Sequence, residues 1–418
     1  MHAVDLLDPP DPVRLSDARP MSESFSQYLV ALRRHLHQHP ELGMEERETS
    51  RLLTQILSEA GLTVQGGLAG GTGLYVDIEG DPDGPRVGYR ADIDALPIQD
   101  AKTVPYASQN PGRAHLCGHD AHTTIAVGIA LALHQQRDQL AGTVRVFFQP
   151  NEEGIPSGAP LMVRDGVLDG LDAAYAIHVD PTLEVGRFGI HTGAATAAAT
   201  RFSIAVHGHG TGHSARPHEA VDTVWVATQL AQTLYQITDR LTDAREPAVL
   251  TLCRFQAGEA FNVIPETVTF GGTLRTVSLR DMDHLLDHIR RLCTHYAAVY
   301  EAHVVPDLDP GAPPVLNDGR LGSHLMHTIE TTYGQKAIHL MPKPSMGTED
   351  FAFYLQHVPG FLLRVGTASG HDTAYPLHDH RFDIDERALA PTVRLMAQTL
   401  MDHLNLNPLG LPQSSALA

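Results

Sequence analysis

The feature that most constrains this 418-residue chain is an alternation of short apolar strands with helices, whose order changes once in the middle. Apolar residues at helical spacing come first, over residues 24–60, with Gly61 as a C-cap. The segments that follow are the strands GLYVDIEG and RVGYRADID, the helix TTIAVGIALALHQQ, and the strands GTVRVFFQP and DAAYAIHVD. Strands that alternate with helices indicate an α/β domain.

The middle of the chain has a different predicted order: strand, helix, strand, strand, helix, strand. That order is the ferredoxin-like split arrangement. Segments of the first kind return afterwards, so the first domain is discontinuous. We predict an α/β domain at 21–190 and 309–405, an inserted α+β domain at 191–308, and loose termini at 1–20 and 406–418.

Charge, hydropathy and cysteine usage exclude several classes of partner. The formal net charge of −19 argues against nucleic acid or an anionic membrane, because both bind basic surfaces. No run of eighteen apolar residues is present, so we expect no transmembrane helix. Cys117, Cys253 and Cys293 are far apart and suggest no disulfide framework. A reducing compartment, the cytoplasm, is the expected location.

The stretch HLCGHDAHT at residues 115–123 gathers ligand-type side chains just before a predicted helix. Cys117, His119, Asp120 and His122 fall within six positions. One interpretation is structural, a buried thiol near the start of the helix. The other is a metal site, and this stretch alone does not decide between them.

Further polar clusters lie at or near the ends of strands in the α/β domain. Ligands gather at the carboxyl ends of strands in open α/β sheets, so these clusters are candidates for one site. Taken singly, each has an ordinary explanation: paired acids are commonly solvated, and a lone histidine is more often structural than a ligand. The clusters are Asp92 with Asp94, Glu152 with Glu153, His178 with Asp180, and His378 with His380.

Taken together, the clusters indicate metal ions. Thiolate, imidazole and carboxylate suit zinc, and a larger share of oxygen and nitrogen ligands also suits manganese, cobalt or nickel. The candidate ligands are too many for one tetrahedral ion, which favours two divalent ions about 3.5–4 Å apart in each subunit. Of the adjacent acids Glu152 and Glu153, one can then bind metal while the other acts as general base.

Ten motifs occur along the chain in the following order: YRADIDALPI, HLCGHDAHT, FFQPNEEG, IHVDP, GHSARPHEAVD, FNVIPETV, GGTLRT, GTEDFAFY, PGFLLRVG and LHDHRFDIDE. Together they resemble the aminoacylase/carboxypeptidase family of co-catalytic metallohydrolases. The resemblance covers residues 25–405 and is closer to the amidohydrolase branch, with its hippurate hydrolases, auxin-conjugate (IAA-amino acid) hydrolases and N-acyl-L-amino acid amidohydrolases. It implies a di-metal hydrolase catalytic domain of α/β class with an inserted ferredoxin-like α+β lid, which commonly carries the dimer interface.

Within the catalytic domain, the resemblance implies five metal ligands and a general base, Glu152. Asp92 stands where other branches carry a ligand histidine, so we place it beside the ligands. Asp94, Asp120 and His122 are further candidates to support the ligands, although His122 can simply begin the helix. The implied ligands are Cys117, His119, Glu153, His178 and His378.

On the lid, His213 corresponds to a residue that reaches a carbonyl oxygen in the neighbouring subunit's site. Asn262 and Arg275 correspond to contacts with the substrate carboxylate, and Gly347 to a residue that lines the pocket. Arg275 can equally be a surface arginine on a strand, and Gly347 a turn glycine. These roles imply a homodimer or a higher homo-oligomer built through the lid.

Three stretches depart from the family pattern. His207 and His209 accompany the usual glycines of the lid motif, either as exposed strand residues or as binders of stray metal. PNEEGIPSGAP replaces a glycine- and alanine-rich stretch beside the site, which leaves substrate choice open. In the lengthened late loop His371 competes with His378 as the ligand, and the context LHDHRFDIDE favours His378.

The implied function is hydrolysis of the amide bond of small N-acyl amino acids, with Glu152 taking a proton from metal-activated water. His213 stabilises the oxyanion in this scheme, while Asn262 and Arg275 hold the substrate carboxylate. A metallo-carboxypeptidase or dipeptidase that acts on peptide-like substrates is one alternative, and a catalytically silent metal-binding module is another. The silent module is disfavoured because it has no need of a base carboxylate beside a metal.

Overall fold

The computed structural model describes residues 5–12, 15 and 20–405. They divide into two compact units. Unit 1 contains the described residues up to Gly193, Leu316–Pro342, and those from Phe353 onwards; unit 2 contains Ala194–Val315 and Lys343–Ala352. The predicted insertion, 191–308, lacks the residues 309–315 and 343–352 that the observed unit 2 includes.

The first helix is capped at its N-terminus by Ser22, whose side chain accepts a hydrogen bond from the Phe25 N–H. The helical region predicted over 24–60 is interrupted after Gln38. Pro40 disfavours helical conformation at His39, so the chain leaves the helix there. The helices of the described residues are α1 (Glu23–Gln38), α2 (Arg47–Glu59), α3 (His119–His134), α4 (Ala159–Arg164), α5 (Thr223–Leu241), α6 (Leu279–Tyr300), α7 (Gly319–Tyr333), α8 (Phe351–Tyr354) and α9 (Leu389–Asn405).

The strands are mostly short, and β2, β3, β4 and β5 form from the apolar segments predicted to be strands in the first domain. In chain order they are β1 (Val64–Leu68), β2 (Gly73–Glu79), β3 (Arg86–Asp92), β4 (Thr143–Gln149), β5 (Ala173–Glu184), β6 (Phe188–Ile190), β7 (Gly193–Ala194), β8 (Ala198–His207), β9 (Gly212–His213), β10 (Ala248–Gln256), β11 (Val263–Ile264), β12 (Thr267–Thr276), β13 (His303–Pro310), β14 (Leu316–Asn317), β15 (Ile338–Leu340) and β16 (Gly360–Ala368).

Unit 1 is built on an eight-stranded sheet in the order β1-β2-β4-β3-β5-β16-β6-β15. Its centre is parallel, since β3 pairs in parallel with both β4 and β5, and β5 pairs in parallel with β16. All seven residues of β4 are buried, as expected for a parallel strand covered on both faces. Helix α3 packs against β3, α1 and α9 and is buried from His119 to Leu133.

Part of the segment predicted to be a loose N-terminus is packed against unit 1. Leu15 is buried, and its backbone N–H donates to the Gln136 side chain over 2.9 Å. The Tyr28 hydroxyl donates to the Leu6 carbonyl over 3.1 Å. Burial of leucine side chains accounts for this packing. The predicted loose tail, 406–418, lies outside the described residues.

Unit 2 follows the predicted β-α-β-β-α-β order with β8, α5, β10, β12, α6 and β13. These strands form an antiparallel sheet in the order β10-β12-β8-β13, and the helices contribute Leu230, Leu234 and Ile289 to its core. Residues 343–352 belong to this unit because their backbone bonds to it: Ser345 N–H donates to the Ala195 carbonyl. The predicted fold class, α/β with an inserted ferredoxin-like domain, is confirmed.

Candidate metal centre

The ligand-type residues of unit 1 lie where strands β3, β4 and β5 carry the chain to one edge of the sheet. Asp92 ends β3, the Glu152–Glu153 pair follows β4, and His178 lies on β5. Cys117 reaches the same place through a tight turn into α3. Gly118 permits that turn: its φ is 88°, and a Cβ there would lie 2.3 Å from the Val179 side chain.

The structure brings the five predicted ligands together. Cys117, His119 and His178 form one group whose donor atoms lie within 4.8 Å of one another, and Cys117 with Glu153 and His378 forms a second. The Cys117 sulfur is therefore common to two three-donor groups, so one thiolate can contribute to two neighbouring cation sites. We call these five residues the donor cluster: Cys117, His119, Glu153, His178 and His378.

Hydrogen bonds fix the tautomers of the two buried histidines. The Nδ1–H of His119 donates to Asp94, whose carbonyl oxygen and Oδ1 lie 2.9 and 3.1 Å away. The Nδ1–H of His178 donates to the Val179 carbonyl over 2.8 Å. Each Nε2 therefore presents a lone pair to the cluster: His178 Nε2 lies 3.5 Å from the Cys117 sulfur. His119 Nε2 is buried with no hydrogen-bond partner among the described residues. This donor set fits a metal ion.

The electrostatics of the cluster favour a bound cation. Burial raises the pKa of the Cys117 thiol well above its usual range, so the thiolate needs a positive neighbour. Burial lowers the pKa of His119, but the facing carboxylate of Asp92 and the bond to Asp94 outweigh it, so the net shift is strongly upward and this position favours a positive charge. A bound cation can supply that charge in place of the proton on Nε2, which then has its lone pair free for the ion. Burial, and after it the charge of Arg364, holds the pKa of His178 well below its usual range. That imidazole is neutral, as a metal ligand must be.

Asp92 and His122 support the cluster from behind. The Asp92 carboxylate accepts from His122 Nδ1 and from the Arg90 guanidinium, each over 2.6 Å. His122 Nε2 in turn accepts the Val179 N–H over 3.0 Å. Both nitrogens of His122 are thus engaged in these hydrogen bonds, although Asp92, His119 and His122 also bring donor atoms within 4.8 Å of one another.

Asp94 connects two members of the cluster. Besides its bond to His119, its Oδ2 accepts the backbone N–H of Glu153 over 3.0 Å. One carboxylate therefore orients the ligand imidazole on α3 and the turn that follows β4. Such a carboxylate–histidine pairing is common in metal sites.

Asp120 was also predicted to support the ligands, but it faces α1. Its Oδ2 lies 2.8 Å from Arg33 Nε and 2.6 Å from His37 Nδ1. Arg33 also bonds Asp383, five residues beyond His378. The RRHLHQHPE stretch that supplies Arg33 and His37 is predicted from sequence only as helix and not as part of the site, because its partners lie far away along the chain. His371, the competitor of His378, is exposed and contacts Tyr375.

The predicted site residues of unit 2 fall into two places within that unit. His213 on β9 pairs with Val263 on β11, and the Ser214 N–H donates to the Asn262 carbonyl. Arg275 on β12 donates from its guanidinium to the Met346 carbonyl over 2.8 Å, beside Gly347. We call these the lid group: His213, Asn262, Arg275 and Gly347.

The extra histidines of the lid motif do not form a group of three metal donors among the described residues. His207 lies 2.9 Å from the Thr267 hydroxyl and stacks on His303. His209 is exposed.

Fold and donor set together point to the class of metallohydrolases that carry an inserted α+β domain. The Peptidase family M20/M25/M40 matches residues 88–402, and the chain belongs to this family. The predicted family and the predicted enzyme class, a hydrolase of amide bonds, are confirmed. No helix of the described residues is long and apolar enough to cross a membrane.

The chain is similar to several known proteins over most of its length. The N-acetyl-L-cysteine deacetylase of Bacillus subtilis (strain 168) is 36% identical over 379 residues, which cover 91% of this chain and 87% of the relative. The IAA-amino acid hydrolase ILR1-like 5 of Arabidopsis thaliana is 35% identical, with coverages of 91% and 88%. The crystal structure of the Bacillus subtilis YXEP protein, a dinuclear metal binding peptidase of the M20 family, is 34% identical with a TM-score of 0.81, covering 92% and 99%.

Proposed function

We propose that this protein is a metal-dependent amidohydrolase that removes the acyl group from N-acyl amino acids. The observation that carries the proposal is the donor cluster, with one sulfur common to two groups of donors and a second glutamate beside it. The names of the two relatives, one a deacetylase of an N-acetyl amino acid and the other a hydrolase of an acyl-amino acid conjugate, support the choice of substrate class.

Two divalent ions per subunit fit the donors, with zinc, manganese, cobalt or nickel as the candidates. Cys117, His119 and His178 would hold one ion, and Cys117, Glu153 and His378 the other. Bound divalent ions act as Lewis acids on a carbonyl oxygen and make water acidic enough to lose a proton near neutral pH.

Glu152 is the proposed general base. Its Oε2 lies 4.0 Å from His119 Nε2, so its carboxylate borders the donor cluster. In this role Glu152 accepts the proton of the attacking water and then delivers it to the leaving amine. Asp94 holds the backbone of the adjacent Glu153, which keeps the base close to the reacting atoms.

The lid group supplies the proposed contacts with the substrate. The Nδ1 of His213 accepts the Ala215 N–H over 3.0 Å, so its Nε2 carries the hydrogen and can donate to a carbonyl oxygen. Asn262 and Arg275 bind the substrate carboxylate, and Gly347 leaves space in the pocket. We propose that His213 acts in the site of a neighbouring subunit, within a homodimer or higher homo-oligomer formed through unit 2.

The test is turnover on a panel of acetyl-, benzoyl- and long-acyl amino acids, with metal content measured on the same preparation. Release of free amino acid by metal-loaded protein is the expected result, and no acyl-amide turnover at full metal content would contradict it. A peptidase is the second candidate, because the YXEP protein is called a peptidase. Dipeptides in the same panel separate the two, since a peptidase prefers them.

A further inference from the structure

Glu46 occupies the N-cap position of α2, yet its side chain does not cap that helix. The first-turn N–H groups of Glu48 and Thr49 donate instead to the Glu41 carboxylate, over 3.1 and 2.8 Å. Glu46 itself is fully buried. Burial raises its pKa to about 7, because loss of solvent disfavours the ionised form. Capping of α2 therefore does not explain this glutamate.

The Glu46 carboxylate is directed at the turn that carries the two catalytic-site glutamates. Its Oε1 accepts the backbone N–H of Asn151 over 2.9 Å, and its Oε2 accepts the Thr72 hydroxyl over 2.9 Å. Asn151 directly precedes Glu152. Glu46 thus fixes the turn at the residue before the proposed base.

Asn151 closes the same turn from inside. Its φ is 55°, a left-handed conformation that asparagine tolerates better than most side chains. Its Nδ2 donates to the Pro156 carbonyl, and its own carbonyl accepts the Gly158 N–H, both over 2.8 Å. A Cβ on Gly43 or on Gly154 would lie 1.9 or 2.0 Å from the Asn151 Oδ1, so the side chain fills the space that these glycines leave.

The backbone around Glu152 is therefore anchored on both sides, at Asn151 by Glu46 and at Glu153 by Asp94. We propose that Glu46 and Asn151 are positioning residues, which hold the turn so that the Glu152 carboxylate faces the reacting atoms. The inference rests on the proposed role of Glu152 as general base. It assigns a function to the stretch PNEEGIPSGAP, in which the chain departs from its family.

Hydrogen exchange of the metal-free protein tests whether Glu46 holds the turn at residues 148–158, and it does not depend on turnover. In Glu46→Leu, which keeps the size but removes the acceptor, amides of residues 148–158 should exchange about 10-fold faster or more. In Glu46→Gln the carbonyl oxygen still accepts the Asn151 N–H, so exchange should stay close to wild type. Thr72→Val removes only the other partner of Glu46 and is the matched control. Unchanged exchange at 148–158, or equal acceleration throughout α2, would overturn the proposal in favour of a purely structural glutamate.

Activity supplies the second readout. Glu46→Leu should lower kcat by about 10- to 100-fold, with KM and metal content close to wild type, while Glu46→Gln recovers most of the rate. Should Glu46→Leu fail to fold, Gly43→Ala displaces the Asn151 side chain from outside α2, and Gly66→Ala, whose Cβ meets nothing within 4 Å, is its control.

The two proposals fail in different ways. If wild-type protein cleaves no acyl-amide, the proposed function fails. The exchange experiment still shows whether Glu46 holds the turn. If wild-type protein is active and loosening of 148–158 leaves kcat unchanged, the positioning role is refuted and the proposed function stands.

Discussion

The donor cluster of unit 1 and the lid group of unit 2 differ in how their side chains are held. Cys117, His119 and His178 are buried, and each imidazole is oriented by a hydrogen bond from its Nδ1. His213 and Asn262 are exposed, and β9 and β11 beside them have two residues each. The buried members of the donor cluster are preorganised by their own unit, whereas the proposed partners of the exposed His213 and Asn262 lie outside their unit, in substrate or in a second subunit.

The largest expected effect comes from Cys117→Ala, because this sulfur belongs to both donor groups. Metal content and turnover should be lost together, since alanine offers no donor atom to either group. Elemental analysis and an acyl-amide assay on one preparation make the measurement. Cys253→Ala, an exposed cysteine of unit 2, is the control and should behave as wild type. Full metal content and normal rates in Cys117→Ala would make it a structural buried thiol.

The next effect separates the adjacent acids. Glu152→Gln should keep its metal and its fold but lose turnover by about 10²–10⁴-fold, because the proton acceptor is gone. Glu153→Gln is the isosteric partner change and should lose metal affinity as well. Metal loss in Glu152→Gln alone would exchange the two roles, and normal behaviour of both variants would reduce the pair to a solvated turn.

A mixed-dimer experiment examines the exposed group. Glu152→Gln and His213→Ala should each be nearly inactive alone. If each site takes Glu152 from one chain and His213 from the other, a mixed dimer has one intact site. Random re-association makes about half of the dimers mixed, so about a quarter of wild-type activity should return. The two variants are unfolded and refolded together and dimers are confirmed by light scattering. Activity no higher than the sum of the parents, with exchange proven, would confine both residues to one chain.

The smallest effect concerns stability in acid, which depends on the buried imidazole of His403. Burial, and after it the charge of His324, lowers the pKa of His403 from 6.5 to about 4. The unfolded chain therefore takes up a proton as the pH falls below 6.5, while folded His403 stays neutral until about pH 4. The free energy of unfolding should drop by about 1–2 kcal/mol between pH 7 and pH 5 from this group. Urea unfolding of wild type and His403→Phe measures it, and identical slopes with pH would disprove it.

Much of the architecture can be predicted from the sequence because it depends on local patterns of apolar and polar residues. The segments that form β3, β4 and β5 are short and mostly apolar, and the polar residues that end or follow them are adjacent to the strands. The sequence therefore predicts that Asp92, the glutamate pair and His178 lie at the carboxyl ends of strands, whereas Cys117 and His119 are predicted just before a helix.

Other features depend on contacts between distant segments and have no local signal. Glu46 bonds Asn151, 105 positions away, and His37 bonds Asp120 across 83 positions. That Glu41 accepts the first-turn N–H groups of α2, while Glu46 bonds elsewhere, has no local signal either. Residues 343–352 join unit 2 through backbone bonds that no side-chain pattern reveals.

The central claim is that one cysteine completes two cation sites in the same chain. Metal-free protein titrated with Co²⁺ tests it directly, because thiolate ligation produces an absorption band that can be followed with each addition. We expect each chain to bind two equivalents of Co²⁺, with a thiolate band that grows as the metal binds. Activity should reach its plateau at the second equivalent, and Cys117→Ala should lack the band. Binding of a single equivalent, or a titration that Cys117→Ala leaves unchanged, would contradict it.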